Sequence, residues 1–156
     1  MKKFILNADD FGMSEAFNDA VLEGFKIGLL KSTSLTANGI AFDDAISRII
    51  PQTQGLSVGV HLNIIEGTAL SNELNLLCDN HNEFNNSYIS LILKSYGTKR
   101  KEFLNQVEQE FRTQIEKILN VYPDISHIDS HVHTHAIPPI FKLVCKLAKE
   151  YKIPFI

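Results

Sequence analysis

The apolar positions of this chain fall into short runs whose period switches back and forth. Residues 3–8 form an apolar run of strand length. Ser14 can cap a helix that continues to about Ile27, with Phe17, Val21, Phe25 and Gly28 on one stripe and Gly28 as its stop. Residues 32–37 are rich in Ser and Thr, with β-branched Thr33 and Thr36, and predict a second strand. Asp43 or Asp44 opens a short helix that ends before Pro51, and residues 56–62 predict a third strand. Between Glu102 and Leu119 the period is 3.6, carried by Leu104, Val107, Phe111, Ile115, Ile118 and Leu119. Residues 125–131 predict a fourth strand. Pro138 or Pro139 then opens a helix carrying Phe141, Val144, Leu147 and Ala148. Residues 63–98 break the pattern. Asn recurs at positions 72, 75, 80, 82, 85 and 86, and the only periodic piece is a short helix over 88–93. This segment is expected to be a long excursion on the third strand, either functional or disordered.

Strand and helix in alternation predict the α/β class, as a parallel sheet or a (β/α) barrel. At 156 residues the chain is one domain by length, with room for a real core. Residues 153–156 begin a fifth strand, where the sequence stops. A parallel strand needs neighbours and a covering helix. Residues 1–156 are therefore expected to be a single (β/α) barrel domain of which only the N-terminal part is present. Uncovered apolar surface on such an arc gives a motive for pairing into a homo-oligomer. The formal charge of −3, with no long run of Lys or Arg, argues against a nucleic-acid partner. No apolar run reaches the 18 residues or so of a membrane span. The apolar start at Phe4-Ile5-Leu6 stops at Asn7, too soon for a signal peptide. Cys78 and Cys145 have no partner spacing and read as reduced thiols of a cytoplasmic protein.

The chemistry concentrates in residues 127–135, His-Ile-Asp-Ser-His-Val-His-Thr-His, which hold four of the six histidines. Strand alternation through this stretch would put His127, Asp129, His131, His133 and His135 on one face, too polar for ordinary core. Two more clusters end predicted strands: Asn7-Ala8-Asp9-Asp10-Phe11-Gly12 after the first and Gly59-Val60-His61-Leu62-Asn63 after the third. Parallel α/β folds build their sites at that edge, so the three clusters converge. Two adjacent carboxylates repel in a dry pocket unless a cation takes one of them. One Asp and two His make a metal-binding set that leaves positions open for water and substrate. The remaining Asp can take a proton from an attacking water, and a nearby His can give one to a leaving group. These are the parts of metal-assisted amide or ester hydrolysis.

The same three blocks resemble the signature segments of the YdjC-like carbohydrate deacetylases, which include the chitooligosaccharide deacetylases. Ser32-Thr33-Ser34-Leu35-Thr36-Ala37-Asn38-Gly39 is similar to that family's second strand. The resemblance implies a distorted (β/α) barrel that removes acetyl groups from N-acetylated sugars with one divalent metal ion. It implies magnesium, whereas the ligand types would also suit zinc. Residue by residue it implies Asp10, His61 and His131 as metal ligands and Asp9 as general base. It also implies His133 and His135 as further catalytic-pocket histidines, and Asp129 is placed to orient a ligand histidine. His127 is expected deeper along the strand, as packing or in a structural hydrogen bond. Glu66 and His81 are expected on solvated loops. Two other readings stay open. One is a metallo-phosphohydrolase, disfavoured because no Arg or Lys stands in the three blocks. The other is a remnant that binds metal or sugar without turnover.

Overall fold

The computed structural model describes residues 4–156; Lys3, at the start of the first predicted strand, lies outside them. Four strands, β1 (Asn7–Phe11), β2 (Ser32–Leu35), β3 (Ser57–Leu62) and β4 (Ile128–Ser130), form one parallel sheet in the order β1-β2-β3-β4. Each strand lies beside its predecessor and the order never reverses. Right-handed crossovers then return on the same side every time, so the helices collect on one face. This is the winding of a (β/α) barrel arc; a doubly wound sheet would reverse at a switch point.

The helix-covered face is apolar. Leu35, Val58, Val60, Leu62 and Ile128 are at most 1% exposed. They share a core with Val21 of α1 (Glu15–Lys26), with Phe103, Val107, Phe111, Ile115 and Ile118 of α4 (Arg100–Leu119), and with Val144 and Leu147 of α5 (Pro138–Glu150). Alternation turns Asn7, Asp9, Ser32, Ser34, Ser57, Gly59, His61, His127 and Asp129 to the opposite, inner face. Ser34 is paired with Gly59 and His61 with Asp129. A one-residue slip of β3 would drive His61 into the core and expel Val58, Val60 and Leu62. Each of those three side chains is worth about 1.5–3 kcal/mol of burial, so the register that aims His61 is strongly held.

Several elements differ from the sequence expectation. β1 begins at Asn7 and runs through Phe11 rather than ending at Ala8, with a register shift between Ala8 and Phe11 where Asp10 takes a positive φ of 61°. α1 starts as expected, Ser14 Oγ accepting from the Phe17 N–H at 3.3 Å. Phe17, however, is 48% exposed and the buried position is Asn18, which accepts from the Gly12 N–H and donates to Ala41 O. The helix after β2 runs from α2 (Phe42–Asp44) through a wide turn, Ala45–Ile49, and a tight one, Ile50–Gln52. Pro51 fits there because the start of a new helical turn needs no N–H from it.

The 63–98 excursion is packed rather than disordered. Ile64, Ala69, Leu74, Leu77 and Phe84 are buried, and α3 (Tyr88–Tyr96) starts on a reciprocal Ser87/Ser90 capping box. Its irregular backbone is satisfied by side chains of α4. Glu110, fully buried, accepts from the N–H groups of Leu70 and Ser71, and Gln106 accepts from Leu76. β4 is shorter than expected. After Ser130 the chain enters a 3₁₀ turn, His131–Ala136, with Val132 and His133 at positive φ of 52° and 53°. The expected fifth strand is present as one parallel bridge, His127 to Phe155, with the Ile128 N–H on Phe155 O at 3.0 Å.

Candidate functional site

Asp10 Oδ1 is the centre of the site. It lies 2.8 Å from His131 Nδ1 and 3.2 Å from His61 Nε2. The three side chains come from the ends of β1, β3 and β4, and their donor atoms all fall within 4.8 Å of one another. They form a group able to hold a metal ion. Backbone distortion sets two of the three. Asp10 occupies left-handed space at the β1 irregularity, which rotates its carboxylate away from the strict alternation. Asp tolerates that conformation better than most residues. Val132, a β-branched residue and hence a true outlier there, bends the chain directly after His131. Among the described residues, three of the six non-glycine residues with positive φ thus belong to this site, the kind of strain that clusters where function fixes geometry.

His61 is 2% exposed and its orientation is over-determined. Its Nδ1 lies 2.7 Å from Asp129 Oδ1. Asn7 donates to Ser34 Oγ at 2.7 Å, and Ser34 donates its own proton to Asp129 Oδ2 at 2.5 Å. Asp129 then only accepts, so His61 Nδ1 donates to it and Nε2 faces Asp10. Burial works against the His61 imidazolium, but the Asp129 hydrogen bond and the charges of Asp129, Asp10 and Asp9 outweigh it and hold its pKa above the ordinary range. Burial likewise works against the Asp129 carboxylate. The His61 hydrogen bond and charge and the Ser34 donor prevail and hold its pKa low.

Asp9 is exposed on the inner face, its Oδ1 accepting from Asn7 Nδ2 at 2.7 Å. A carboxylate oxygen of Asp9 also comes within 4.8 Å of ligand atoms on His61 and Asp129. Beside it opens a concavity of about 680 Å³ whose walls include Asp9, Asp129, Ser32, Ser57, His127 and Phe155. His127 sits in the structural role expected of it, with Nδ1 2.8 Å from Ser126 Oγ and Nε2 3.3 Å from Ser34 Oγ. Gly59 is required beneath it, because a Cβ there would collide with the imidazole ring. Burial keeps His127 easy to deprotonate.

His133 and His135 do not continue the strand face. They form an edge-to-face pair with ring centres 6.2 Å apart in the turn that follows. Ser130 Oγ holds that turn, accepting from the His135 N–H at 2.9 Å and lying 2.6 Å from His135 Nδ1. Among the described residues no hydrogen bond links either ring to Asp10. Burial depresses the His135 pKa, against the pull of the Asp129 charge. Glu66, expected on a solvated loop, is 55% exposed at its side chain but places Oε1 3.0 Å from His131 Nε2. His81 is exposed as expected. The inner-face supports Asn7 and Ser34 had a signal in the sequence: polar residues every second position in strands whose other face is apolar.

The sequence matches the YdjC-like protein family over residues 3–156. It is 37% identical to a carbohydrate deacetylase of Clostridium beijerinckii over 152 residues, 97% of this chain and 58% of that protein. It is 40% identical to a carbohydrate deacetylase of Listeria monocytogenes serotype 4b, again over 97% of this chain and 59% of that one. The chain therefore spans about three fifths of the length of these curated relatives. Its fold superimposes on the crystal structure of a proposed cellobiose-phosphate cleavage protein of Enterococcus faecalis. The TM-score is 0.82 at 26% identity, covering 97% of this chain and 57% of that one. The sequence match along nearly the whole chain, and a sheet whose strand ends bring its three polar blocks together, lead to one conclusion: the chain belongs to the YdjC-like family.

Proposed function

We propose that this chain carries the metal-binding, water-activating edge of a carbohydrate deacetylase that hydrolyses the acetamide of an N-acetylated sugar or short oligosaccharide. The observation that carries the reading is the Asp10 carboxylate hydrogen-bonded to His131 and 3.2 Å from His61 Nε2, with Asp9 exposed beside them. The names of its relatives supply the substrate class.

Asp10, His61 and His131 would hold one divalent cation, magnesium by family resemblance and zinc by donor type. Bound there, the cation supplies a Lewis acid for the acetyl carbonyl and for the acidity of the attacking water. Asp9 is exposed and free to accept that water's proton, while Asn7 fixes its orientation. Asp129 keeps the Nδ1 proton on His61 so that Nε2 stays directed at Asp10. His133 and His135 would pass a proton to the departing amine. Burial lowers the His135 pKa, which makes its protonated form a readier proton donor. Asp9, Asp10, Glu66 and Asp129 surround the site with negative charge, which favours a neutral amide over a phosphoryl dianion.

The test is acetate release from N-acetylglucosamine oligomers. Turnover is expected to stop on chelation and to return on adding the divalent cation. Turnover that survives chelation would overturn the mechanism. Hydrolysis of p-nitrophenyl phosphate without acetate release would favour the phosphohydrolase. Calorimetric binding of sugar or metal with no hydrolysis would reduce the chain to a binding remnant.

A further inference from the structure

Both ligand histidines stand between two carboxylates, approached from opposite ring atoms; the Asp129 contact on His61 is a hydrogen bond, and the Glu66 contact on His131 is a close N···O approach. His61 turns Nε2 to Asp10 and Nδ1 to Asp129; His131 turns Nδ1 to Asp10 and Nε2 to Glu66. We propose that Glu66 is the positioning residue of His131, holding its Nε2–H so that Nδ1 stays directed at the Asp10 site. This assignment rests on the metal-site reading above and extends it to a residue of the β3 loop.

An exposed ion pair alone would carry little weight, since most contribute almost nothing. The loop that delivers Glu66 is built, however, and built from the interior. Asn63, fully buried, accepts from the Ile65 N–H at 2.9 Å and the Glu66 N–H at 3.3 Å, and donates to Glu66 O at 2.8 Å. Asn38, on the loop after β2, donates to the same Glu66 carbonyl and to Thr68 O, each at 3.2 Å. Gln114 of α4 clamps Asn63 at both backbone groups, donating to its O at 2.6 Å and accepting from its N–H at 2.9 Å. Gln114 is in turn bonded to buried Glu110. A chain of buried amides from α4 therefore fixes the backbone of Glu66 on both sides. Only the tip of its side chain, 55% exposed, is left free to meet the imidazole.

An imidazole held by one nitrogen can rotate about its bond to Cβ and present carbon in place of nitrogen. A carboxylate on the far nitrogen removes that freedom and raises the basicity of the near one. Asp129 does this from a strand for His61, and Glu66 does it from a loop for His131.

The test uses zinc as the probe, by calorimetric titration of the unaltered chain, Glu66→Gln, Glu66→Ala and Asp10→Asn, with ¹⁵N spectra of the histidine rings in the zinc-loaded forms. The expected result is zinc binding that Asp10→Asn abolishes. Glu66→Ala should weaken it by about 10–100-fold, and Glu66→Gln should fall between. In the unaltered chain the His131 spectrum should show Nε2 protonated and Nδ1 bound, a state that Glu66→Ala disperses. The melting temperature of the cation-free protein should be essentially unchanged by either Glu66 substitution. Equal zinc affinity in Glu66→Ala and the unaltered chain overturns the role of Glu66 alone. A His131 that binds through Nε2, with Glu66 oxygen on the ion, overturns it in favour of a fourth ligand. Failure of the unaltered chain to bind zinc any better than Asp10→Asn overturns the metal-site reading itself.

Discussion

At the scale of the residue, adjacent Asp9 and Asp10 have different surroundings because the chain turns between them, and the proposed reading gives them different duties. Asp10, at positive φ, faces two imidazoles; Asp9 stays on the inner face, where its carboxylate accepts from Asn7. Asp9→Asn should leave zinc affinity within a few-fold of the unaltered chain and lower kcat by about 10²–10⁴, the usual contribution of a positioned base. Titration calorimetry paired with an acetate-release assay separates the two effects; a loss of binding that matches the loss of rate would make Asp9 a ligand. The His61 proton gives a second expectation. Its pKa is held above the ordinary 6.5, so at any pH below that raised value a metal ion must displace the proton. Apparent metal affinity should rise about tenfold per pH unit until the raised pKa is passed, and then level off. For the cation-free protein the sign is opposite. The stabilisation from a raised pKa is complete below 6.5 and is lost as pH rises through the folded value. Asp129, lowered from 3.8, contributes above that value and loses its contribution as pH falls through the folded one. Melting temperatures of the cation-free chain should therefore decline as pH rises from 6.5 through the His61 titration, the same range in which metal binding strengthens.

At the scale of the element, α4 is the scaffold of the site although it holds none of the ligands. Its Gln106, Glu110 and Gln114 satisfy backbone groups of the 63–87 segment that no sheet or helix could satisfy. Gln114→Leu fills a similar volume but strands the Asn63 N–H and carbonyl and removes one of the donors to the Glu110 carboxylate, which keeps the Leu70 and Ser71 N–H groups. At about 1–3 kcal/mol for each buried group left unpaired, a loss of about 3 kcal/mol is expected in urea unfolding, with weaker metal binding through the loosened Glu66 loop. This dependence explains what could be seen in the sequence and what could not. The helix over 102–119 and the strand over 56–62 were legible because their apolar periods are local, and the convergence of Asp10, His61 and His131 followed from strand ends alone. Glu66 was illegible because its position is set by Gln114, 51 positions from Asn63 along the chain. The His131–Ala136 turn was illegible for another reason. Polar and apolar residues alternate there as in a strand, and Val132 is a β-branched residue that ordinarily avoids the conformation it adopts. A pattern of residue types carried no sign of that reversal, so His133 and His135 were assigned a face they do not occupy.

At the scale of the whole molecule, the order β1-β2-β3-β4 decides where the three proposed ligands stand relative to the fold's stability. Asp10 ends the first strand and His131 follows the fourth, at opposite margins of the sheet, with His61 from β3 between them. An ion bound by all three would close the arc across its open inner face, tying margins that the ladder of backbone hydrogen bonds joins only through β2 and β3. The unfolded chain cannot bring those residues together, so binding free energy adds directly to folding free energy. With free ion at about a hundred times its Kd, the gain is about 2.7 kcal/mol. For a domain of about 150 residues, each kcal/mol moves Tm by about 2–4 °C, so a rise of about 5–10 °C is expected in calorimetric melting. Asp10→Asn should melt within a few degrees of the cation-free chain and show no rise at the same ion concentration. A rise of equal size in Asp10→Asn would place the bound ion elsewhere and detach the stability of the arc from the three-residue centre at its edge.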